Sequence, residues 1–325
     1  MDPFVSAGTL PPTDVVAALV TDAYERFRDD ERGANSDVYP ALTEVPSNLF
    51  GLCVVGTTGN SHAAGDADVE FSIMSVAKPF VFALVCDVLG PDEVRERVGV
   101  NATGLPFNSV EAIERQGDGR TNPMVNPGAI ATTSLVPGAT AAARWQGILD
   151  GLSRFAGRQL ALDAEIYASA SATNHRNREI VGMLDRYGRI IGDPADALDL
   201  YTRQSSLRVT ARDLAVMGAT LADGGVNPLT GEGVVDAASA RCALVVMSTA
   251  GLYETSGDWL YDIGLPGKSG IGGGVVTVSP GKGGLGTFSP RLDQAGNSVR
   301  GQLAARFLSR QLGLDLFRSA PVPPG

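Results

Sequence analysis

The chain has 325 residues, 44% hydrophobic and 19% charged, with 40 Gly and 19 Pro. That balance excludes a disordered chain and, lacking a collagen period, a fibrous one; at roughly 150 residues per domain it allows about two domains, or one with an insert. Its 26 basic and 36 acidic residues leave a net charge of −10, which repels phosphate backbones, so no nucleic-acid partner is expected. The opening 1–14 has an acid at Asp2, no basic residue and no apolar run, unlike a signal peptide. Val16, Leu19, Val20, Ala23, Tyr24 and Phe27 recur at helical spacing and predict an amphipathic helix over 14–28. A polar, proline-bearing loop with Tyr39-Pro40 follows. Residues 49–55 read as a strand entering a hairpin turn at Gly56-Thr57-Thr58-Gly59-Asn60. Residues 71–73 are extended, and 75–89 form a helix stopped by Gly90-Pro91.

The middle is mostly helical, with helices expected at 92–97, 139–156, 177–187, 195–207, 211–222 and 236–250. Thr210 before Ala211-Arg212-Asp213 resembles a capping box with Asp in the usual Glu position. From 268 to 289, glycine-rich stretches flank Val275-Val276-Thr277-Val278 and predict two or three strands. A last amphipathic helix covers 298–312, and the tail 319–325 is expected to fray. The order helix, strands, long helical stretch, strands, helix predicts an α/β (α+β) fold. Strands from both chain ends pair in one mostly antiparallel sheet covered by helices, and the middle forms a helical lobe. The longest apolar run, 80–86, falls far short of the roughly 20 residues that span a bilayer. A soluble, cytoplasmic protein with no membrane partner is expected.

Chemistry is constrained first by what is scarce. Cys53, Cys86 and Cys242 are odd in number, widely spaced and set in apolar runs, so they read as buried reduced thiols. Only His62 and His175 exist, and neither sits in a G-x-S-x-G or cysteine-nucleophile context. A His-rich metal site is thereby excluded, and a base other than histidine is expected. The glycines at 272–274 and 281–286 lack the spacing of a phosphate loop. The strongest signal is Ser75-Val76-Ala77-Lys78. Positions i and i+3 share a helix face, the helix N-terminus favours developing negative charge, and a desolvated lysine can take the serine proton. Lys268-Ser269-Gly270, at the opening of an expected strand, is the second signal. In serine enzymes with S-x-x-K a K-[ST]-G strand borders the site, and a backbone N–H near Ile271 could join that of Ser75 in an oxyanion hole.

With these motifs the chain resembles the serine-dependent glutaminases of β-lactamase-like fold, the bacterial glutaminase A group. The matching segments are Phe71-Ser72-Ile73-Met74-Ser75-Val76-Ala77-Lys78-Pro79, Asn122-Pro123-Met124-Val125-Asn126-Pro127-Gly128-Ala129-Ile130, Arg176-Asn177 and Asp199-Leu200-Tyr201. Gly251-Leu252-Tyr253-Glu254-Thr255-Ser256-Gly257 and Pro266-Gly267-Lys268-Ser269-Gly270-Ile271-Gly272-Gly273-Gly274 complete them. The resemblance implies one catalytic domain over 1–325, with an α/β subdomain at about 10–90 and 255–317 and a helical subdomain at about 91–254. It implies Ser75 as nucleophile, Lys78 as general base and Tyr253 as proton relay. Tyr39 resembles a second site tyrosine. Asn126, Asn177 and Tyr201 match positions that hold the amino-acid end of glutamine, and Ile271 matches the position whose backbone faces the carboxamide oxygen. The implied reaction converts L-glutamine to L-glutamate and ammonia without metal or cofactor, in a homotetramer.

Two residues depart from the pattern. The family usually has a glutamate seven residues before the asparagine matched by Asn177, where this chain has Ala170. That carboxylate would pair with the substrate ammonium, and a buried charge without its partner costs several kcal/mol. Glu165 and Asp163 are acids close by in sequence that could replace it. The family also usually has glutamine before the nucleophile, where this chain has Met74. Two rival readings stay open: a non-catalytic amino-acid binder, and a hydrolase of a different amide or of β-lactams.

Overall fold

The computed structural model describes residues 8–115 and 117–319. The opening 1–7 and the frayed tail expected beyond 319 lie outside the described residues. The chain runs α1 (Thr13–Phe27), α2 (Pro40–Thr43), β1 (Gly51–Gly56), β2 (Ser61–Gly65), β3 (Phe71–Ser72), a 3-10 turn (Met74–Val76), α3 (Ala77–Leu89), α4 (Pro91–Val98) and α5 (Glu111–Arg115). It continues through α6 (Asn126–Ser134), α7 (Ala141–Ala156), β4 (Ala161–Leu162), α8 (Ala164–Thr173), α9 (His175–Arg186), α10 (Pro194–Ser205), β5 (Leu207–Val209), α11 (Ala211–Ala222) and α12 (Ala237–Ala250). A second 3-10 turn (Tyr253–Thr255), α13 (Ser256–Ile263), β6 (Gly267–Ser269), β7 (Gly274–Ser279), β8 (Gly283–Phe288) and α14 (Val299–Gln311) complete it.

Five antiparallel strands form the main sheet in the order β2-β1-β8-β7-β6. Its central pairing joins the two ends of the chain, with Gly51 opposite Phe288 and Gly56 opposite Gly283. Both faces are covered, so the strands alternate between two apolar environments rather than between core and water. Leu52, Val54, Val275 and Leu285 pack with Val16, Val20, Ala304 and Leu308 of α1 and α14. Cys53 and Val55 face Ala215, Val216 and Ala219 of α11. The mixed, mostly antiparallel architecture follows the expectation. One helix is placed differently: α11 comes from the stretch expected to form the helical lobe, yet it lies across the sheet.

α11 begins at the expected capping box, with Asp213 N donating to Thr210 Oγ1 at 3.0 Å and Thr210 N donating to Asp213 Oδ2 at 2.8 Å. It can approach the sheet because β8 carries glycines there. A Cβ on Gly286 would lie 2.0 Å from Ala211 O, and one on Gly284 2.3 Å from Ala215 O. α3 packs in the larger apolar cluster with α7 and α12, and its residues Phe80, Val81, Phe82, Val85 and Cys86 are all buried. A small sheet, β3-β5-β4, leads the chain into the 3-10 turn and α3. Among the described residues no helix is long and apolar enough to cross a membrane, and no three His, Cys, Asp or Glu side chains come together as metal ligands would.

Candidate active site

The expected helix at 75 begins as a 3-10 turn, Met74–Val76, which hands over to α3 at Ala77. Ser75 therefore stands just before the α-helix proper. Met74, directly before it, has φ 46°, and Tyr253 has φ 57°. These are the only described non-glycine residues with positive φ, a conformation that costs on the order of 1–3 kcal/mol in a non-glycine residue. Both border the same point: Met74 directly precedes Ser75, and the Ser75 hydroxyl bears on the pKa of Tyr253 as it does on that of Tyr201.

Tyr39, Ser75, Asn126, Asn177, Tyr201 and Ile271 line one cavity of about 70 Å³. Lys78 lies beneath its lining, one turn after Ser75 and 2% exposed. Its Nζ donates to Asn126 Oδ1 at 2.7 Å and to Met124 O at 3.3 Å, not to Ser75. Burial pulls the Lys78 pKa down to about 7. The same Asn126 Oδ1 accepts from the Tyr201 hydroxyl at 2.9 Å. Asn126 Nδ2 passes the network on to Asn177 Oδ1 at 2.9 Å, and Asn177 Nδ2 donates to Asn174 Oδ1 at 2.6 Å. Burial also raises the tyrosines: Tyr253 to about 12, and Tyr201 well above its ordinary value.

Lys268 is the second buried lysine. It is 0% exposed, donates to Ser269 O at 2.6 Å, and its Nζ lies 4.2 Å from the Tyr253 ring centroid. Burial first, and then the charge of Lys78, hold its pKa well below the ordinary lysine value. Lys268 and Ser269 end β6 rather than open it, and the turn after them crosses the nucleophile. A Cβ on Gly270 would lie 3.2 Å from Ser75 N. Among the described residues neither the Ser75 N–H nor the Ile271 N–H has a hydrogen-bond partner, although both residues are buried. Buried amides are almost always paired, so two free ones on the lining of one cavity mark a place prepared for an acceptor.

The two departures from the family pattern are at the cavity wall. Ala170 is buried on α8 and lines the cavity with Met74. Neither acid suggested as a substitute reaches it. Asp163 caps α8, accepting from Glu165 N and Ile166 N at 3.1 Å, and holds Arg208 at 3.2 Å; Glu165 is exposed. Sequence reasoning missed Asn174 and Phe107. Asn174 sits three residues before Asn177 and could have been read as its partner at a helix start. Phe107 lies in an irregular loop with no local signal. Its ring lies tilted against that of Tyr253 with centroids 4.7 Å apart, and its carbonyl receives the Asn126 N–H at 2.7 Å.

A glutaminase family model matches residues 33–317 of the chain. A Yersinia pestis protein named Glutaminase 2 is 67% identical over 318 residues, covering 98% of this chain and 94% of the relative. A Brucella abortus glutaminase is 51% identical, covering 88% and 90%. Among solved structures, one described as "Probable glutaminase ybaS" superposes with a TM-score of 0.94 at 43% identity, covering 95% of this chain and all of the other. Mglu in its glutamate form superposes at 0.89 with 37% identity, covering 94% of this chain and 70% of its own.

Proposed function

Since the chain belongs to the glutaminase family and has its β-lactamase-like fold, we propose that it hydrolyses glutamine at the Ser75 cavity through an acyl-enzyme. That the chain is a glutaminase, converting L-glutamine and water to L-glutamate and ammonia, follows from the family and from relatives of that name at 67% and 51% identity. Nothing favours a β-lactam or a purely binding role.

The assignment of roles rests on one observation: a serine on the cavity wall stands one turn from a buried lysine whose pKa burial holds at about 7. A neutral Lys78 has two N–H groups and a lone pair. Both N–H groups have acceptors in Asn126 and Met124, which leaves the lone pair for the Ser75 proton. Ser75 Oγ then attacks the carboxamide carbon. The oxyanion takes the free N–H groups of Ser75 and Ile271, each such donor being worth roughly 3–4 kcal/mol in the transition state. The C–N bond breaks as the departing nitrogen takes the proton from Lys78 or through Tyr253. Water attacks the resulting ester with Lys78 again as base, and Ser75 leaves as the free hydroxyl.

Asn126, Asn177, Tyr201 and Tyr39 hold the amino-acid end of the substrate, on the strength of their shared cavity. A homotetramer and a cytoplasmic location belong to the same proposal, by resemblance and composition. Replacing Ser75 by Ala tests the roles. Ammonia release should vanish while circular dichroism and Tm stay unchanged, and undiminished release would move the nucleophile elsewhere.

A further inference from the structure

The cavity that holds the glutamine end carries no carboxylate. Among the described residues, no Asp or Glu lines it. The inward face of α8 is Ile166 and Ala170, one turn apart. Beside it Met74 and Ile271 pack with Leu42 and Ile166 in one apolar cluster, against which Tyr39 and Phe107 rest. The one ionic side chain on the lining is a cation, Arg176, whose guanidinium is tied to Glu179 at 2.7 Å and to Asn108 O at 3.0 Å.

Of the nearby acids, Asp37 is exposed, and Asp199 and Asp293 are engaged elsewhere. Asp199 accepts from Tyr167 and Arg203 at 2.5 and 2.7 Å. Asp293 accepts from Ala295 N and Gln302 Nε2 at 2.9 and 2.8 Å, and it belongs to the adjoining cavity of about 1000 Å³. The amide oxygens give little in their place. Both lone pairs of Asn126 Oδ1 are taken by Lys78 and Tyr201, and Asn177 and Asn174 each already accept one bond within the network. An ammonium entering this cavity would leave water for a wall of hydroxyls, engaged amides and hydrocarbon. Desolvating a charge without a counter-charge is unfavourable.

We propose that this glutaminase does not read the α-ammonium of its substrate: its cavity recognises the carboxamide, the carbon chain and the carboxylate, and it takes γ-carboxamides that lack the α-ammonium as substrates on a par with glutamine. Ala170 is the specificity-determining position. The inference rests on the glutaminase reading of this cavity.

The test is ammonia release from glutamine and from glutaramate, which is glutamine without its α-amino group. For the native enzyme, kcat/KM on the two should differ by less than about tenfold, because no paired charge separates them. An Ala170→Glu variant would set a carboxylate on the inward face of α8 and should shift the ratio toward glutamine by about tenfold or more, through pairing with the ammonium. A native preference for glutamine of about tenfold or more would overturn the inference while leaving the glutaminase reading intact. If neither amide released ammonia, the reading of the cavity would fall first and the inference with it. The native ratio decides the matter even if the variant does not fold.

Discussion

At the scale of single residues, the site is set by what burial does to charge. Lys78 ordinarily carries its proton to well above neutral pH. In the fold that proton is released at about 7, and burial is the cause. The sign follows directly: below that value Lys78 is an ammonium with no lone pair, above it an amine that can take the Ser75 proton. kcat/KM for glutamine should therefore fall about tenfold per pH unit on the acid side, with a limb near 7, when measured from about pH 5 to 9. A flat profile across neutrality would remove Lys78 as the base. The Ser75–Lys78 pair was legible in the sequence because its geometry is local: three residues of separation on a helical turn bring the two to one face. The neutral state of the lysine was not legible. It depends on the walls built by Met124, Asn126 and Tyr201, which arrive from elsewhere in the chain. The backbone strain at Met74 and Tyr253 was equally hidden, since nothing in a residue's identity announces a positive φ imposed by its surroundings.

At the scale of elements, helices with a strong apolar period were read to within a residue or two, as at α7 and α11. Helices held by burial alone were missed. α6 has the sequence Asn126-Pro127-Gly128-Ala129-Ile130-Ala131-Thr132-Thr133-Ser134, rich in breakers and β-branched residues, yet all of it is buried. Tertiary packing overrides its weak propensity, and a proline at its start is tolerated because that N–H would be unpaired anyway. α8, with Ala and Ser in most positions, shows no periodic stripe either. The glycine-rich stretch 281–286 was expected only to flank the valine run, but Gly284 and Gly286 lie within β8 and admit the α11 backbone. Gly286→Val should destabilise the protein by about 3 kcal/mol or more, as overpacking against backbone cannot be relieved by a side-chain rotation. The readout is the urea midpoint or Tm, and an unchanged value would mean that α11 can move off the sheet.

At the scale of the whole molecule, the cavity is assembled by the two ends of the chain holding each other. Tyr39 comes from the loop before β1, and that loop is fixed from the far end. Ala34 N donates to Leu292 O at 3.1 Å and Leu292 N returns the bond to Ala34 O at 2.8 Å. Arg300 on α14, 2% exposed, donates through Nε to Asp30 O at 2.7 Å and through a terminal nitrogen to Asn48 O at 2.9 Å. α14 also covers the sheet face that α1 shares, burying Ala304, Ala305 and Leu308 against Val16, Val20 and Leu285. A chain ending at Asn297 would keep every candidate site residue, from Tyr39 to Ile271. It would lose the helix that seals one face of the sheet and the guanidinium that anchors the Tyr39 loop. Its soluble yield should collapse, and any soluble fraction should release ammonia at a small share of the full-length rate. The assay separates two views of the fold: truncated protein that stays soluble and turns over at the full-length rate would mean that the site-bearing segment stands alone, with β1–β8 pairing sufficient to hold it.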